Sequence, residues 1–238
     1  SMAHPIFTLS TKPDTKKRRY VASDGQSYVE IRPNMIGLAT VHDRDVLIYC
    51  ISQVVAALNH GKQIHRTLRF KAYDLLVATN RPTAGTGYTG LKAALERLQG
   101  TQIETNITTG GVEQIDGFSL IDRYRIVRET RDGRMLDLEV TLSDWVFNAI
   151  AGDDVLTLNP RYFQLRKPLE RRLYALARHQ CGTPPEWKCG LDKLKDRTGS
   201  PSSDTEFRRL VRALCTADAD TNHLPDYAFR PHSDIPPV

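Results

Sequence analysis

Thr198-Gly199-Ser200-Pro201-Ser202-Ser203-Asp204-Thr205-Glu206-Phe207-Arg208-Arg209-Leu210-Val211-Arg212-Ala213-Leu214-Cys215 is the stretch that decides the fold. Phe207, Leu210, Val211 and Leu214 fall at the spacing of one buried face of a 3.6-residue period, and Arg208, Arg209 and Arg212 lie off that stripe. Gly199 stops the helix before it, and Ser203 or Asp204 is offered as the next N-cap, with Glu206 in the first turn. Two helices meeting at so tight a corner form a helix-turn-helix. The start of the second one, with free N–H groups and nearby guanidinium forks, suits phosphates and the base edges of a DNA major groove.

Charge supports the same segment. The chain carries a net +5, placed unevenly. Between Arg166 and Arg212 twelve Lys/Arg stand against six Asp/Glu, and residues 1–19 hold five Lys/Arg against Asp14 alone. The remainder is acidic on balance. Concentrated positive charge is the footprint of a polyanion partner, and its bland alternative is a solvated helix face. Arg171 and Arg172 are open in the same way, since helix-surface or interdomain ion pairs account for them equally well.

At 238 residues two domains are expected, and 40% hydrophobic residues suffice for ordinary cores. No apolar run approaches the roughly 20 residues that span a bilayer, and no leader pattern is present, so the expected setting is the cytoplasm. Ser1 before Met2 reads as the scar of a removed tag. Cys50, Cys181, Cys189 and Cys215 lack the close pairs of a zinc site, even with His179 nearby, and are expected as free thiols. No metal and no cofactor are expected.

Residues 1–29 read as a flexible basic arm, whose first 19 residues lack hydrophobic periodicity and end in Lys16-Lys17-Arg18-Arg19, a run that either tracks phosphates or solubilises the terminus. From His42 a strong helix pattern (Val46, Leu47, Cys50, Ile51, Val54, Val55, Leu58) runs to a stop at Gly61, with Asp43 and Asp45 complementing its dipole. An extended piece, Ile64 to Phe70, leads to a second helix near Lys71 to Thr79. The loop Asn80 to Gly87 is glycine-rich but lacks the Lys-Ser/Thr ending of a P-loop and any preceding strand. A third helix, Tyr88 to Leu98, buries Leu91, Ala94, Leu95 and Leu98 while Lys92 and Arg97 point away.

The period then changes to two. Ile103, Thr105 and Ile107 alternate, as do Phe118, Leu120, Tyr124 and Ile126, and Leu136, Leu138, Val140 and Leu142, with Arg131-Asp132-Gly133-Arg134 as a hairpin turn. Three helices followed by a strand ribbon is the order of a winged helix. A short helix follows, Ser143 to Ile150, with Trp145, Phe147 and Ile150 as anchors against a neighbouring domain, and Gly152-Asp153-Asp154 reads as the boundary. After a short strand, Val155 to Leu158, the helical order begins again with Leu169 to Gln180, Leu191 to Thr198 and Thr205 to Cys215. The expected fold is α+β: two tandem winged-helix domains, 30–152 and 153–238, mainly helical with small antiparallel β wings.

Lys167-Pro168-Leu169-Glu170-Arg171-Arg172-Leu173-Tyr174, the run Leu191 to Gly199, and Glu206-Phe207-Arg208-Arg209-Leu210 together resemble the replication initiator protein A family of plasmid initiators. Asp43 to Leu58, Gly85-Thr86-Gly87-Tyr88, and Leu91 to Leu98 running into Thr101-Gln102-Ile103-Glu104-Thr105 look like the same family, so the likeness spans roughly residues 30–230 of a spread-out pattern. The resemblance implies a protein that binds direct repeats (iterons) at a plasmid origin and helps open it for the host initiator and replicative helicase. It implies a second domain that reads the major groove through Ser202, Ser203, Thr205, Arg208, Arg209 and Arg212, with Lys193, Lys195 and Arg197 nearer the phosphates. The first domain would add contacts from Thr86, Tyr88 and Lys92 and a homodimer surface used off DNA. After Leu224-Pro225-Asp226-Tyr227-Ala228-Phe229 the prolines Pro231, Pro236 and Pro237 depart from the pattern, and the second wing is expected to be short or truncated.

Two other classes compete. A transcriptional regulator uses the same physics without initiating replication, and maintenance of a plasmid bearing the cognate origin separates the two. A rolling-circle nicking enzyme needs a His-x-His metal pair and a nearby tyrosine; no His-x-His occurs, and Tyr49, Tyr73, Tyr162 and Tyr174 read as core or helix surface. Serines and histidines are scattered without a nucleophile-elbow spacing, so no enzyme is expected.

Overall fold

The computed structural model describes residues 4–22, 25–109, 112–128, 135–152, 156–182 and 184–231, in two compact units, Thr11–Val155 and Ser1–Ser10 with Leu156–Val238. The expected hairpin turn at Arg131 to Arg134 and the boundary residues Asp153 and Asp154 lie outside the described residues.

In the unit Thr11–Val155 the order is β1 (Arg18–Val21), β2 (Tyr28–Arg32), α1 (Arg44–Asn59), β3 (Thr67–Lys71), α2 (Ala72–Ala78), α3 (Gly85–Gly100), β4 (Gln102–Thr109), β5 (Val112–Ser119), β6 (Ile121–Arg128), β7 (Met135–Leu142) and α4 (Asp144–Ala151). The helices α1 to α3 with the sheet β3-β7-β6 make the winged helix, whose wing is the β6–β7 pair. The alternating run from Phe118 to Ile126, expected as one strand, breaks at buried Leu120. Its first half, β5, joins a second antiparallel sheet of order β1-β2-β4-β5.

The expected basic arm is not a free arm where it is described. Ile6, Phe7 and Thr8 are buried, and Arg18–Val21 pairs antiparallel with β2. Four consecutive cations read as self-repelling in sequence, but Glu30, only 2% exposed, gathers Lys17 at 2.9 Å, Arg19 at 3.6 Å and Arg32 at 2.6 Å. Glu30 thus holds Lys17 and Arg19 of the basic run, and Asp14 holds Arg18 between them.

Helix α1 buries Val46, Leu47, Cys50 and Val54 at helical spacing, leaves Leu58 exposed, and hands over to Gly61 in the left-handed conformation at φ +64°. Asp43 does more than complement a dipole. It is buried, accepts from the Thr40 N–H at 2.8 Å, and takes both arms of the Arg97 guanidinium at 2.6 and 2.8 Å. Arg97, expected to point away, therefore ties the end of α3 to the start of α1 through a bidentate charged pair. In α4, Ser143 caps the helix by accepting from Val146 N–H, Val146 and Ile150 are buried, and Trp145 stacks on Phe118 with ring centroids 4.8 Å apart. Trp145 is thus an anchor within its own unit.

The unit containing Leu156–Val238 has a 3-10 turn at Pro160–Gln164, then α5 (Pro168–Gln180), α6 (Leu191–Thr198) and α7 (Asp204–Thr221). The strand expected over Val155 to Leu158 does not form in the described residues Leu156 to Leu158. The Thr157 carbonyl accepts from Arg178 at 2.8 Å instead of from a ladder partner, and just beyond the stretch the Asn159 N–H donates to the Tyr174 hydroxyl at 2.9 Å. Phe207, Val211 and Cys215 of α7 form a core with Leu169, Leu191, Leu194 and Phe229 packed on it. After α7, Asn222 turns left-handed, and the two oxygens of buried Asp218 accept from Leu224 N–H at 3.0 Å and Phe229 N–H at 3.1 Å. No described residue from 222 to 231 is in a strand, so this clasp occupies the place of the expected second wing.

Among the described residues no helix is long and apolar enough to cross a membrane, and no group of three or more His, Cys, Asp or Glu is placed to hold a metal ion. All four cysteines are free, Cys50 and Cys215 buried, Cys181 and Cys189 partly exposed.

Candidate nucleic-acid interface

The corner between α6 and α7 is built by local sequence. Gly199, left-handed at φ +67°, ends α6 and its N–H returns to Lys195 and Asp196 carbonyls. Ser203 starts α7, its hydroxyl accepting from Glu206 N–H at 3.3 Å. Phe207, Val211 and Leu214 are buried and Leu210 half-buried, so the opposite face shows Thr205, Arg208, Arg209, Ala213 and Thr216 to solvent, with Arg212 half-exposed beside them. The expected reading helix therefore presents its arginines outward from its first three turns.

Not every expected reader is equally available. Ser203 is occupied as the N-cap and Ser202 is half-buried. Glu206 holds Arg209 through two bonds of 2.8 Å, and Asp204 holds Lys195 at 2.5 Å. These hydrogen bonds from Arg209 and Lys195 keep the Glu206 and Asp204 carboxyls below their usual range. Lys193 is exposed at the outer side of α6, and Arg197, also exposed, lies over the Trp187 ring at 5.5 Å.

Arg171 and Arg172 leave the open question of the sequence on the structural side. Both are buried. Arg171 donates to the Leu165 carbonyl at 2.6 Å and the Phe163 carbonyl at 3.3 Å and lies over the Tyr162 ring. Arg172 donates from Nε at 3.1 Å and Nη2 at 2.5 Å to the carbonyl of Arg197 in the last turn of α6. A cation at a helix C-terminus is favoured by the dipole, so Arg172 fixes α6 against α5 rather than reaching a partner.

In the other unit α3 begins at Gly85, ahead of the expected start at Tyr88, so Thr86 is not in a loop. Thr86 is exposed in its first turn and Tyr88 half-buried, while exposed Lys92 pairs with Glu96 at 3.2 Å. The sequence reading missed the outer face of the wing. Register places Arg69, Glu139 and Arg125 in one row and Thr67, Thr141 and Arg123 in the next, with Arg69 bonded to Asp137 at 3.0 Å. The alternation that turned Tyr124 and Ile126 inward also turns Arg123 and Arg125 outward, and would have found them.

Fold and site together define a class: a tandem winged-helix protein whose second unit carries a basic helix-turn-helix and, among its described residues, no strand for a wing. The chain belongs to the replication initiator protein A family, whose model matches residues 1–229. It is 34% identical over 233 residues to a protein of Wigglesworthia glossinidia brevipalpis named for a role in replication, a match covering 97% of this chain and 82% of that one. Two crystal structures of domains 2 and 3 of RctB share the fold. One has a TM-score of 0.67 at 16% identity over 90% of this chain and 81% of that chain, the other 0.64 at 15% over 87% and 79%.

Proposed function

We propose that this replication initiator binds duplex DNA sequence-specifically at repeated sites (iterons) of a plasmid origin, through the outward face of α7, and promotes opening of that origin. The observation that carries the reading is the projection of Thr205, Arg208, Arg209 and Arg212 from the side of α7 opposite Phe207, Val211 and Leu214. An arginine fork on guanine discriminates a base pair by about 1 to 3 kcal/mol. Lys193 and Arg197 of α6 would lie nearer the phosphates and supply salt-dependent, sequence-blind affinity. The other unit adds contacts from Thr86, Tyr88 and Lys92 and the surface of a homodimer that exists off DNA. The host initiator and replicative helicase then act on the opened origin in the cytoplasm, at the plasmid, and the protein itself is a binding module rather than an enzyme.

The test is a binding titration of origin-repeat duplex against random duplex of equal length, with footprinting on the parent plasmid. Arg208→Ala and Arg209→Ala are expected to abolish the preference for repeats. An unchanged preference in both variants would remove α7 from the role of reader.

A further inference from the structure

The first turn of α7 carries two carboxylates on a surface assigned above to a polyanion. Asp204 occupies Lys195, and Glu206 occupies both arms of Arg209. A helix dipole favours acidic residues in a first turn, but these two are held by cations of the same surface. The Ser203 cap itself uses the main-chain N–H of residue 206, which any side chain there would leave in place.

A duplex entering this surface must separate Arg209 from Glu206 and carry the carboxylate into the field of its phosphates. Random sequence offers nothing in return. A C·G pair does, because cytosine N4 donates to a carboxylate in the major groove while the guanine beside it presents O6 and N7 to a guanidinium fork. We propose that Glu206 is a specificity-determining residue of α7, which withholds Arg209 from phosphate and admits it to DNA only where a C·G pair satisfies both side chains. The proposal rests on the reading of α7 as the sequence reader. It assigns discrimination to a penalty against wrong sites as much as to attraction by right ones.

The full-length protein is titrated with origin-repeat duplex and with random duplex over a range of salt, as wild type, Glu206→Gln and Asp220→Asn. Asp220 is exposed on the same helix about 21 Å further along, so its variant makes the same charge change away from the pair. Glu206→Gln is expected to tighten the random duplex about tenfold and to steepen its log–log salt slope by about 0.9, the signature of one more phosphate contact. It tightens the repeat duplex far less, so the ratio of the two affinities falls, while Asp220→Asn leaves that ratio within about twofold. A ratio that Glu206→Gln leaves unchanged, or that Asp220→Asn lowers equally, overturns the proposal and leaves the reading of α7 standing. A wild type that does not separate the two duplexes overturns the reading beneath it. Thermal melting followed by circular dichroism confirms that each variant is folded before its ratio is counted.

Discussion

A β-carbon on Gly87 would lie 1.8 Å from the carbonyl oxygen of Pro82. The first turn of α3 is pressed against the main chain that leads into it, and a main-chain atom cannot swing aside as a side chain can. Gly87→Ala is expected to destabilise its unit by about 1 to 3 kcal/mol. Gly90, one turn on and exposed, has open space around it, and Gly90→Ala is expected to stabilise by about 0.4 to 1 kcal/mol. Urea unfolding followed through Trp145, in a Trp187→Phe background, measures both, and equal effects would refute the contact.

Arg172→Ala is expected to cost the helical unit about 2 to 3 kcal/mol, because its charged donors serve the Arg197 carbonyl from a buried position. Trp187, beneath the Arg197 guanidinium, reports this unit alone when Trp145 is replaced by Phe. A loss below about 0.5 kcal/mol, the scale of ordinary surface changes, would return Arg172 to the list of partner-facing cations.

Lys193→Ala and Arg197→Ala are expected to weaken origin-repeat and random duplex alike and to lower the salt slope by about one each. Base readers behave differently, losing the preference first. A change confined to the repeat duplex would move these two residues from the phosphates to the bases.

The hydrogen bond from Lys195 holds the Asp204 carboxyl of the folded protein below its usual range. A carboxyl depressed on folding contributes stability that is present above the unfolded value and lost as pH falls through the folded one. The Lys195 pairing therefore helps at neutral pH and lapses in acid. Following the Asp204 carboxyl carbon by NMR is expected to show a midpoint that rises in Lys195→Gln. A midpoint indifferent to that substitution would assign the shift to another cause.

What the sequence made legible was whatever repeats locally. Phe207, Val211 and Leu214 announce their buried face because each neighbour is one turn away, and Leu91 to Leu98 do the same for α3. The Gly199 stop, and an N-cap narrowed to Ser203 or Asp204, were readable because each acts within four residues. Contacts made at a distance were not. Arg97 meets Asp43 across 54 positions, and Lys17, Arg19 and Arg32 meet on Glu30 only once β1 and β2 pair. Arg171 and Arg172 were undecidable for a sharper reason: their partners are main-chain carbonyls, which carry no residue identity for a sequence pattern to display.

The Asp218 clasp has a kinetic consequence. Leu224 and Phe229 lie outside every helix and strand, yet their amides are bonded to a buried carboxylate on the last turns of α7. In deuterium oxide these two amides will exchange on the timescale of the helix that holds them, not of the irregular segment that contains them. In Asp218→Ala they will exchange at the rates of open chain while the first turns of α7 keep their protection. One carboxylate thereby joins a coil segment and a helix end into a single unit of opening.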